Sequence, residues 1–297
     1  MPSPAFVATL VVDPARPALS DAHISRAAQA LPGFVESRWL DPGAAADLYF
    51  DGPADARVYL APIAAELGAD VIVQRAATRA KRLLVADMDS TLIGQECIDE
   101  LAAAAGVGDH VAGVTERAMR GDIPFESALR ERVALLTGLP ARVIDELLET
   151  TITLNPGART LAATMRARGG YVAIVSGGFT PFTGVIARRL GADEHRANRL
   201  EISGGRLTGK VIEPILGAGA KLDALREISA RLGLERHETL GVGDGANDLE
   251  MLREAGLGIA YRAKPKVAAA AHARVDHADL TALLHAQGIE RRDFTLA

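Results

Sequence analysis

Two aspartates separated by one residue stand in the stretch Val85-Ala86-Asp87-Met88-Asp89-Ser90-Thr91, directly after the short apolar run Leu83 to Asp87, which predicts a β-strand. If the extended conformation continues, this spacing turns both carboxylates the same way. Ligands of open α/β sheets bind beyond the carboxyl ends of the strands, so Asp87 and Asp89 would project into that crevice. Burying two acids side by side is unfavourable unless a cation or a shared proton offsets it. Taken alone, the heptapeptide could also be a solvated loop built on Asp, Ser and Thr turn chemistry. A second acidic cluster weighs against that reading. Gly243-Asp244-Gly245-Ala246-Asn247-Asp248 follows another predicted strand, Thr239 to Gly243. Oxygen donors of this kind suit Mg2+, which takes one or two carboxylates, several waters and substrate phosphate oxygens. Asn247 could equally cap the helix that runs through Glu254.

Two further strand ends supply groups for an anion. Ser176-Gly177-Gly178-Phe179 follows the predicted strand Tyr171 to Ser176, and Thr180-Pro181 begins a helix as an N-cap and N1 pair. Free backbone N–H groups and a hydroxyl at such a helix start bind phosphate. Lys221, at the start of another helix, could balance the carboxylates and the phosphate, although a lysine in that place is by itself a surface charge. Two motif matches fail on chemistry. Gly241 to Ala246 fits a dinucleotide fingerprint, but Asp244 would face the pyrophosphate and Tyr261 stands where an acid should hold the ribose. Gly204 to Lys210 fits a P-loop, but Val211 replaces the metal-binding hydroxyl. Cys97 has no histidine nearby in sequence, which leaves it a small buried apolar role.

The elements that must hold these residues follow from patterning. Residues from Leu83 onward alternate short apolar strands with helices, the signature of a parallel α/β sheet, with strands at Leu83 to Asp87, Tyr171 to Ser176, Thr239 to Gly243, Leu257 to Tyr261 and a short edge at Arg274 to Asp276. Residues 95–155 interrupt this alternation as an inserted helical bundle, and Arg199 to Ile212 alternates like a β-hairpin. Ahead of the sheet, Phe6 to Val12, a helix capped by Ser20 and reaching Ala30, Phe34 to Leu40, Asp47 to Phe50, a helix from near Pro53 to Gly68, and Ala69 to Gln74 read as βαββαβ. That order describes a small ferredoxin-like, ACT-like module. The basic stretch Arg75 to Arg82 reads as its linker, so the expected domains are 1–78 and 79–297, with the cap at about 95–155.

Composition narrows the function classes. A net charge of −5 argues against a general nucleic-acid binder, which needs a basic surface to displace counterions. A single cysteine excludes an intramolecular disulfide and a cysteine-built metal site. No apolar run reaches the ~18 residues of a membrane span, and the first residues carry no basic stretch of a secretory signal, so the expectation is no membrane association and a cytoplasmic location.

Asp87-Met88-Asp89-Ser90-Thr91, Ser176-Gly177-Gly178-Phe179, Lys221 and Gly243 to Asp248, in this order, resemble the four motifs of the haloacid dehalogenase (HAD) superfamily, and within it the phosphoserine phosphatases. The resemblance spans residues 80–285. It implies an α/β fold: a Rossmann-like HAD hydrolase core with a helical cap inserted after the first strand, preceded here by the small βαββαβ ACT-like domain. It implies Mg2+ held by Asp87, Asp244 and the main-chain carbonyl of Asp89, and hydrolysis of O-phosphoserine, the last step of serine biosynthesis. Asp87 corresponds to the nucleophile, Asp89 to the general acid and base, and Lys221, Ser176 and the Gly177 amide to the phosphate-binding groups, while Asn247 and Asp248 correspond to residues that hold metal waters and the lysine. Glu96 corresponds to the ammonium-binding glutamate and Arg132 to the carboxylate-binding arginine of the cap, with Met119 and Phe125 at positions that shape the pocket. The plainer alternative for Arg130 and Arg132 is pairing with Glu126 and similar neighbours on an exposed helix. ACT-like modules imply dimerisation or serine-linked feedback. The segment Asp13 to Pro17 lacks the glycine-rich loop that such ligand binding uses.

Overall fold

The structure is a computed structural model that describes residues 4–120 and 122–296, including all of their side chains except those of Met119 and Arg120. The chain begins with β1 (Phe6–Val11), α1 (Asp21–Ala30), β2 (Phe34–Asp41), β3 (Ala45–Phe50), α2 (Arg57–Leu67) and β4 (Asp70–Arg75). These strands form an antiparallel sheet in the order β2-β3-β1-β4. The side-chain period of two gives the sheet two faces, and both are buried along β1 and β3, whereas β2 is largely exposed. On one face, Ala8, Leu10, Ala46, Leu48 and Phe50 pack with Ile24, Ala27, Leu60 and Ile63 of the two helices. As expected, Ser20 caps α1, its Oγ accepting from the His23 amide at 3.4 Å. α2 starts later than its composition suggests. Residues 51–56 instead run as an irregular bend, tied at its start where the Asp51 amide donates to the Gly33 carbonyl (2.8 Å), before the chain enters the helix.

The second unit starts with β5 (Leu83–Ala86) and then leaves the sheet for the helices α3 (Cys97–Ala104), α4 (Gly108–Arg120), α5 (Phe125–Ala134) and α6 (Arg142–Thr150). It returns through α7 (Ala158–Ala167) to β6 (Tyr171–Phe179), α8 (Thr180–Leu190) and the hairpin β7 (Glu194–Ser203) and β8 (Arg206–Ile212). The chain closes with α9 (Ala220–Leu232), β9 (Thr239–Gly243), α10 (Leu249–Glu254), β10 (Leu257–Tyr261), α11 (Pro265–Ala270), β11 (Ala273–Val275) and α12 (Ala282–Ala286). The seven-stranded sheet runs β11-β10-β9-β5-β6-β7-β8, parallel throughout except for the β7–β8 hairpin. β5, β9 and β10 are buried along their whole length, which accounts for their continuous apolar runs.

The four helices α3 to α6 form the expected cap. The two crossings between cap and core are tied at a bridge between Ile93 and Leu154, and the hairpin reaches the cap from the other side, with Gly138 donating to Leu207 and Ala141 to Gly205. Within the rejected P-loop match, Gly204 and Gly205 form the tip of that hairpin with positive φ, and Gly209 lies inside β8. β6 runs on to Phe179, so Phe179 occupies the cap position of α8 and Thr180-Pro181 its first turn.

The stretch Arg75 to Arg82 connects β4 to β5, and part of it is buried. Arg75 closes β4, residues 76–78 form one 3-10 turn, and Arg79 and Lys81 are buried. Arg79 lies under the second face of the small sheet, donating to Asp47 (2.7 Å) and Tyr49 (3.0 Å) on one side and to the carbonyls of His285 (3.0 Å) and Ala286 (3.2 Å) on the other. Lys81 donates to the carbonyls of Thr78 and His237, and burial lowers its ammonium to about 8. Beside them, the Asp70 carboxylate accepts from the amides of Asp276, His277 and Ala278. The two sheets are thus joined through buried polar contacts. No helix among the described residues is long and apolar enough to cross a membrane.

Candidate active site

β5 stops at Ala86, and the backbone turns through residues 89–92 with Ser90 in the left-handed region (φ 55°). The Asp87 amide still donates to Val242 of β9 (3.0 Å), so the first carboxylate is fixed by the sheet itself. Its Oδ2 lies 2.5 Å from Lys221 Nζ, and the same ammonium donates to Asp248 Oδ1 at 2.6 Å. Asp248 Oδ2 in turn accepts from the Gly245 amide (2.9 Å). Glycine is required at 243 because a Cβ there would collide with the Asp248 carboxylate. Thr91 Oγ1 donates to Asp244 Oδ1 (3.0 Å), which draws the second strand-end aspartate toward the first.

Carboxylate oxygens of Asp87, Asp244 and Asp248 all lie within 4.8 Å of one another. Burial pushes the Asp87 carboxyl well above the ordinary range, opposed by Lys221 and reinforced by Asp248 and Asp89. Burial, then Asp248, raises Asp244 likewise. For Lys221, burial works against the charge, but Asp248 and Asp87 outweigh it and hold the ammonium above its usual value. Three clustered acids share one lysine, an excess of negative charge that a hard cation with oxygen ligands would neutralise. The donor set therefore fits a divalent metal. The third carboxylate of this cluster is that of Asp248, a residue the motif reading placed in support.

The Asp89 side chain is engaged elsewhere. Its Oδ1 accepts from the Cys97 amide (3.0 Å) and its Oδ2 from Ser176 Oγ (3.0 Å), and burial raises its carboxyl above the ordinary range. A Cβ on Gly178 would come within 2.5 Å of Asp89 Oδ2, so only glycine lets the β6 loop approach. Burial also pushes the Cys97 thiol up, which disfavours a thiolate nucleophile. Phe125, Ser176, Gly177, Lys221 and Asn247 line one small pocket beside these carboxylates. The side chain of Met119 lies outside the described residues.

Glu96 precedes α3 and accepts from Ser90 Oγ at 2.6 Å. Although its side chain reaches solvent, desolvation, with Asp89, Asp244 and Asp99 adding to it, pushes its carboxyl up to about 7. Arg132 of α5 is half-buried, donating to the Ala128 carbonyl (3.3 Å) and Thr115 Oγ1 (3.4 Å). Burial lowers it while Asp99 and Glu96 oppose that, so cap arginine and Glu96 share one electrostatic neighbourhood. Arg130 is exposed and paired with Glu213 (2.7 Å), not with Glu126. Sequence reasoning assigned no part to Ser90, Thr91, Asn155, whose side-chain amide donates to the carbonyls of Thr91 (2.8 Å) and Ile93 (3.1 Å), or Asn198. The first two lay within the first motif, but nothing in a single sequence marks the other two.

A buried lysine between two aspartates at the carboxyl ends of a parallel sheet, under an inserted cap, is the arrangement of a phosphate-transferring hydrolase. The haloacid dehalogenase-like hydrolase family model matches residues 84–253, and the chain belongs to this family. Over 243 residues, 81% of this chain, it is 47% identical to a phosphoserine phosphatase of Streptomyces coelicolor. The chain spans 59% of that relative's length. Among solved structures, a probable phosphoserine phosphatase of Vibrio cholerae in unliganded form superposes with a TM-score of 0.77 at 33% identity, covering 97% of this chain and 88% of the other. A phosphoserine phosphatase structure described as a phospho-aspartyl intermediate analogue gives 0.64 at 40% identity, covering 69% and 98%.

Proposed function

We propose that the protein is a Mg2+-dependent phosphatase that hydrolyses O-phospho-L-serine to L-serine and phosphate through an aspartyl-phosphate. The observation that carries the reading is the division of labour between two buried aspartates: Asp87 is held by a lysine, Asp89 by Ser176 and the Cys97 amide. Asp87, Asp244 and the main-chain carbonyl of Asp89 would hold Mg2+, which would supply charge neutralisation at the phosphate. Lys221, Ser176 and the Gly177 amide bind the remaining phosphate oxygens, and Asp248 keeps Lys221 in place. Asp87 attacks phosphorus as the ester P–O bond breaks, and Asp89 in its protonated form, which burial favours, gives its proton to the departing serine oxygen. The ionised Asp89 then takes a proton from the water that attacks the aspartyl-phosphate, releasing phosphate and regenerating Asp87.

The substrate carries one ammonium and one carboxylate besides its phosphate, and a closed site must pair each. Glu96 takes the ammonium and Arg132 the carboxylate, with Phe125, Met119 and Asn247 shaping the pocket. We assign residues 1–78 to an ACT-like domain and 79–297 to the phosphatase domain with its cap. The small domain's β2-β3-β1-β4 sheet supports a dimerising or serine-sensing role, and the whole is read as a cytoplasmic enzyme.

Phosphate release from O-phosphoserine with and without EDTA tests the assignment. Activity is expected to vanish with EDTA, to return with Mg2+, and to be absent in Asp87→Asn. Equal rates on phosphoserine and sugar phosphates would refute the roles of Glu96 and Arg132. Titration with serine, followed by activity and sedimentation, tests the small domain.

A further inference from the structure

β6 and β7 pair in register up to Val175 and Arg196, and pair again at Phe179 and Asn198. Two steps along β7 thus match four along β6, so Ser176, Gly177 and Gly178 bulge out of the ladder. A bulged segment leaves main-chain groups without their sheet partners. The Asn198 side chain, 1% exposed, reaches into the gap and donates to the Gly177 carbonyl at 2.9 Å. Its amide also donates to the Leu216 carbonyl (3.4 Å), and its Oδ1 accepts from the Leu216 amide (2.8 Å). Both donors and the acceptor of one buried amide are in use.

These bonds connect two loops that meet at the site. The peptide between Gly177 and Gly178 is held at both ends, its carbonyl by Asn198 and its N–H by Ser176 Oγ (2.8 Å), whose own hydrogen goes to Asp89. Leu216 belongs to the loop that enters α9, and Leu216, Gly217 and Lys221 face Ser176 and Gly177 across the pocket. We infer that Asn198 is a positioning residue that sets the phosphate-binding loop at residues 176–178 and its distance from the helix carrying Lys221. It touches no reacting atom and acts through the Gly177 carbonyl and the Leu216 peptide. The inference rests on the reading that residues 176–178 receive the phosphate.

Inorganic phosphate is the probe, measured as a competitive inhibitor of phosphoserine hydrolysis by the full chain with Mg2+. Asn198→Ala is expected to weaken phosphate inhibition and to lower kcat roughly tenfold each. Leu161→Ala, a buried substitution on α7, serves as a stability control and is expected to lower Tm with phosphate inhibition within twofold of the parent. Asn198→Asp keeps the size and the acceptor for Leu216. Its ionised form faces the Gly177 carbonyl without a proton to give, whereas its protonated form donates again, so its activity relative to the parent should rise as pH falls. Parent-like phosphate inhibition in Asn198→Ala, an equal loss in Leu161→Ala, or a pH-independent ratio for Asn198→Asp would each overturn the positioning role. If the parent itself neither hydrolyses phosphoserine nor binds phosphate, the functional reading fails first and the inference falls with it.

Discussion

Arg79→Met should separate the stability of the two sheets. In the intact chain Asp47, fully buried, has three side-chain partners: Arg79 at 2.7 Å, Thr9 at 2.7 Å and Tyr49 at 3.5 Å. Methionine fills much of the arginine's volume but leaves the Asp47 charge with two hydroxyls. Breaking a buried ion pair from one side costs about 3–5 kcal/mol. The carbonyl of Ala286 keeps Gln74 as a donor and that of His285 keeps the Gly288 amide, so most of the loss falls on Asp47. For a chain of this size such a loss lowers Tm by on the order of 10 °C. The sign of the pH dependence follows from Asp47, whose carboxyl burial already raises against the opposing pull of Arg79. An acid with a folded pKa above its unfolded value destabilises the fold as pH climbs past the unfolded pKa, and below that the effect vanishes. Removing Arg79 raises the carboxyl further, so the defect should be largest above neutrality and shrink toward acid. The assay is urea unfolding read by the chain's one tryptophan, Trp39 on β2, and by far-UV circular dichroism. The Trp39 transition is expected to move ahead of the dichroism transition in Arg79→Met, and Asp47→Asn in the same chain should restore at least half the loss. A loss below about 1 kcal/mol, or no recovery in the double variant, would refute the reasoning.

Two further outcomes concern the site. Lys221→Met should lower kcat by about 10^3-fold, because it removes a preorganised charge from the phosphate and leaves Asp87 beside Asp248 without their shared cation; steady-state kinetics on phosphoserine check it. Glu96, pushed up to about 7, is charged only above that pH, so KM for phosphoserine should fall as pH rises through 7. Glu96→Gln should flatten that profile and raise KM about tenfold at pH 8.

The chemistry was readable where consecutive residues carry it. Asp87 and Asp89 sit at a strand end that apolar patterning reveals, and Asp244 to Asp248 repeat the arrangement on the neighbouring strand, so topology alone brings the two clusters together. Asn198 stays hidden because it lies just ahead of the segment that alternates as a hairpin, and its partners, Gly177 and Leu216, stand 21 and 18 residues away in the chain. The burial of the linker is hidden for a related reason. Arg79 and Lys81 look solvated by composition, but their partners lie at Asp47, His237, His285 and Ala286, separations no local pattern reports. α2 begins at Arg57 rather than near Pro53, after an irregular segment that starts where Asp51 is tied to Gly33, a contact 18 residues back that local propensity does not report.

The placement of β5 governs the order in which the molecule can be built. Leu83 pairs with Tyr171 on one side and with Thr239 on the other, so the central strand must wait for both neighbours. At ordinary rates of synthesis, roughly 10 to 30 s separate the emergence of β5 from that of β9. During that interval β6 emerges and can pair with β5 on one side, but the other edge of this apolar strand stays open until β9 arrives. Asp87 has no lysine until α9 emerges and no Asp248 until the end of β9 has passed, so metal capture belongs to the final stage of folding and cannot guide the earlier ones.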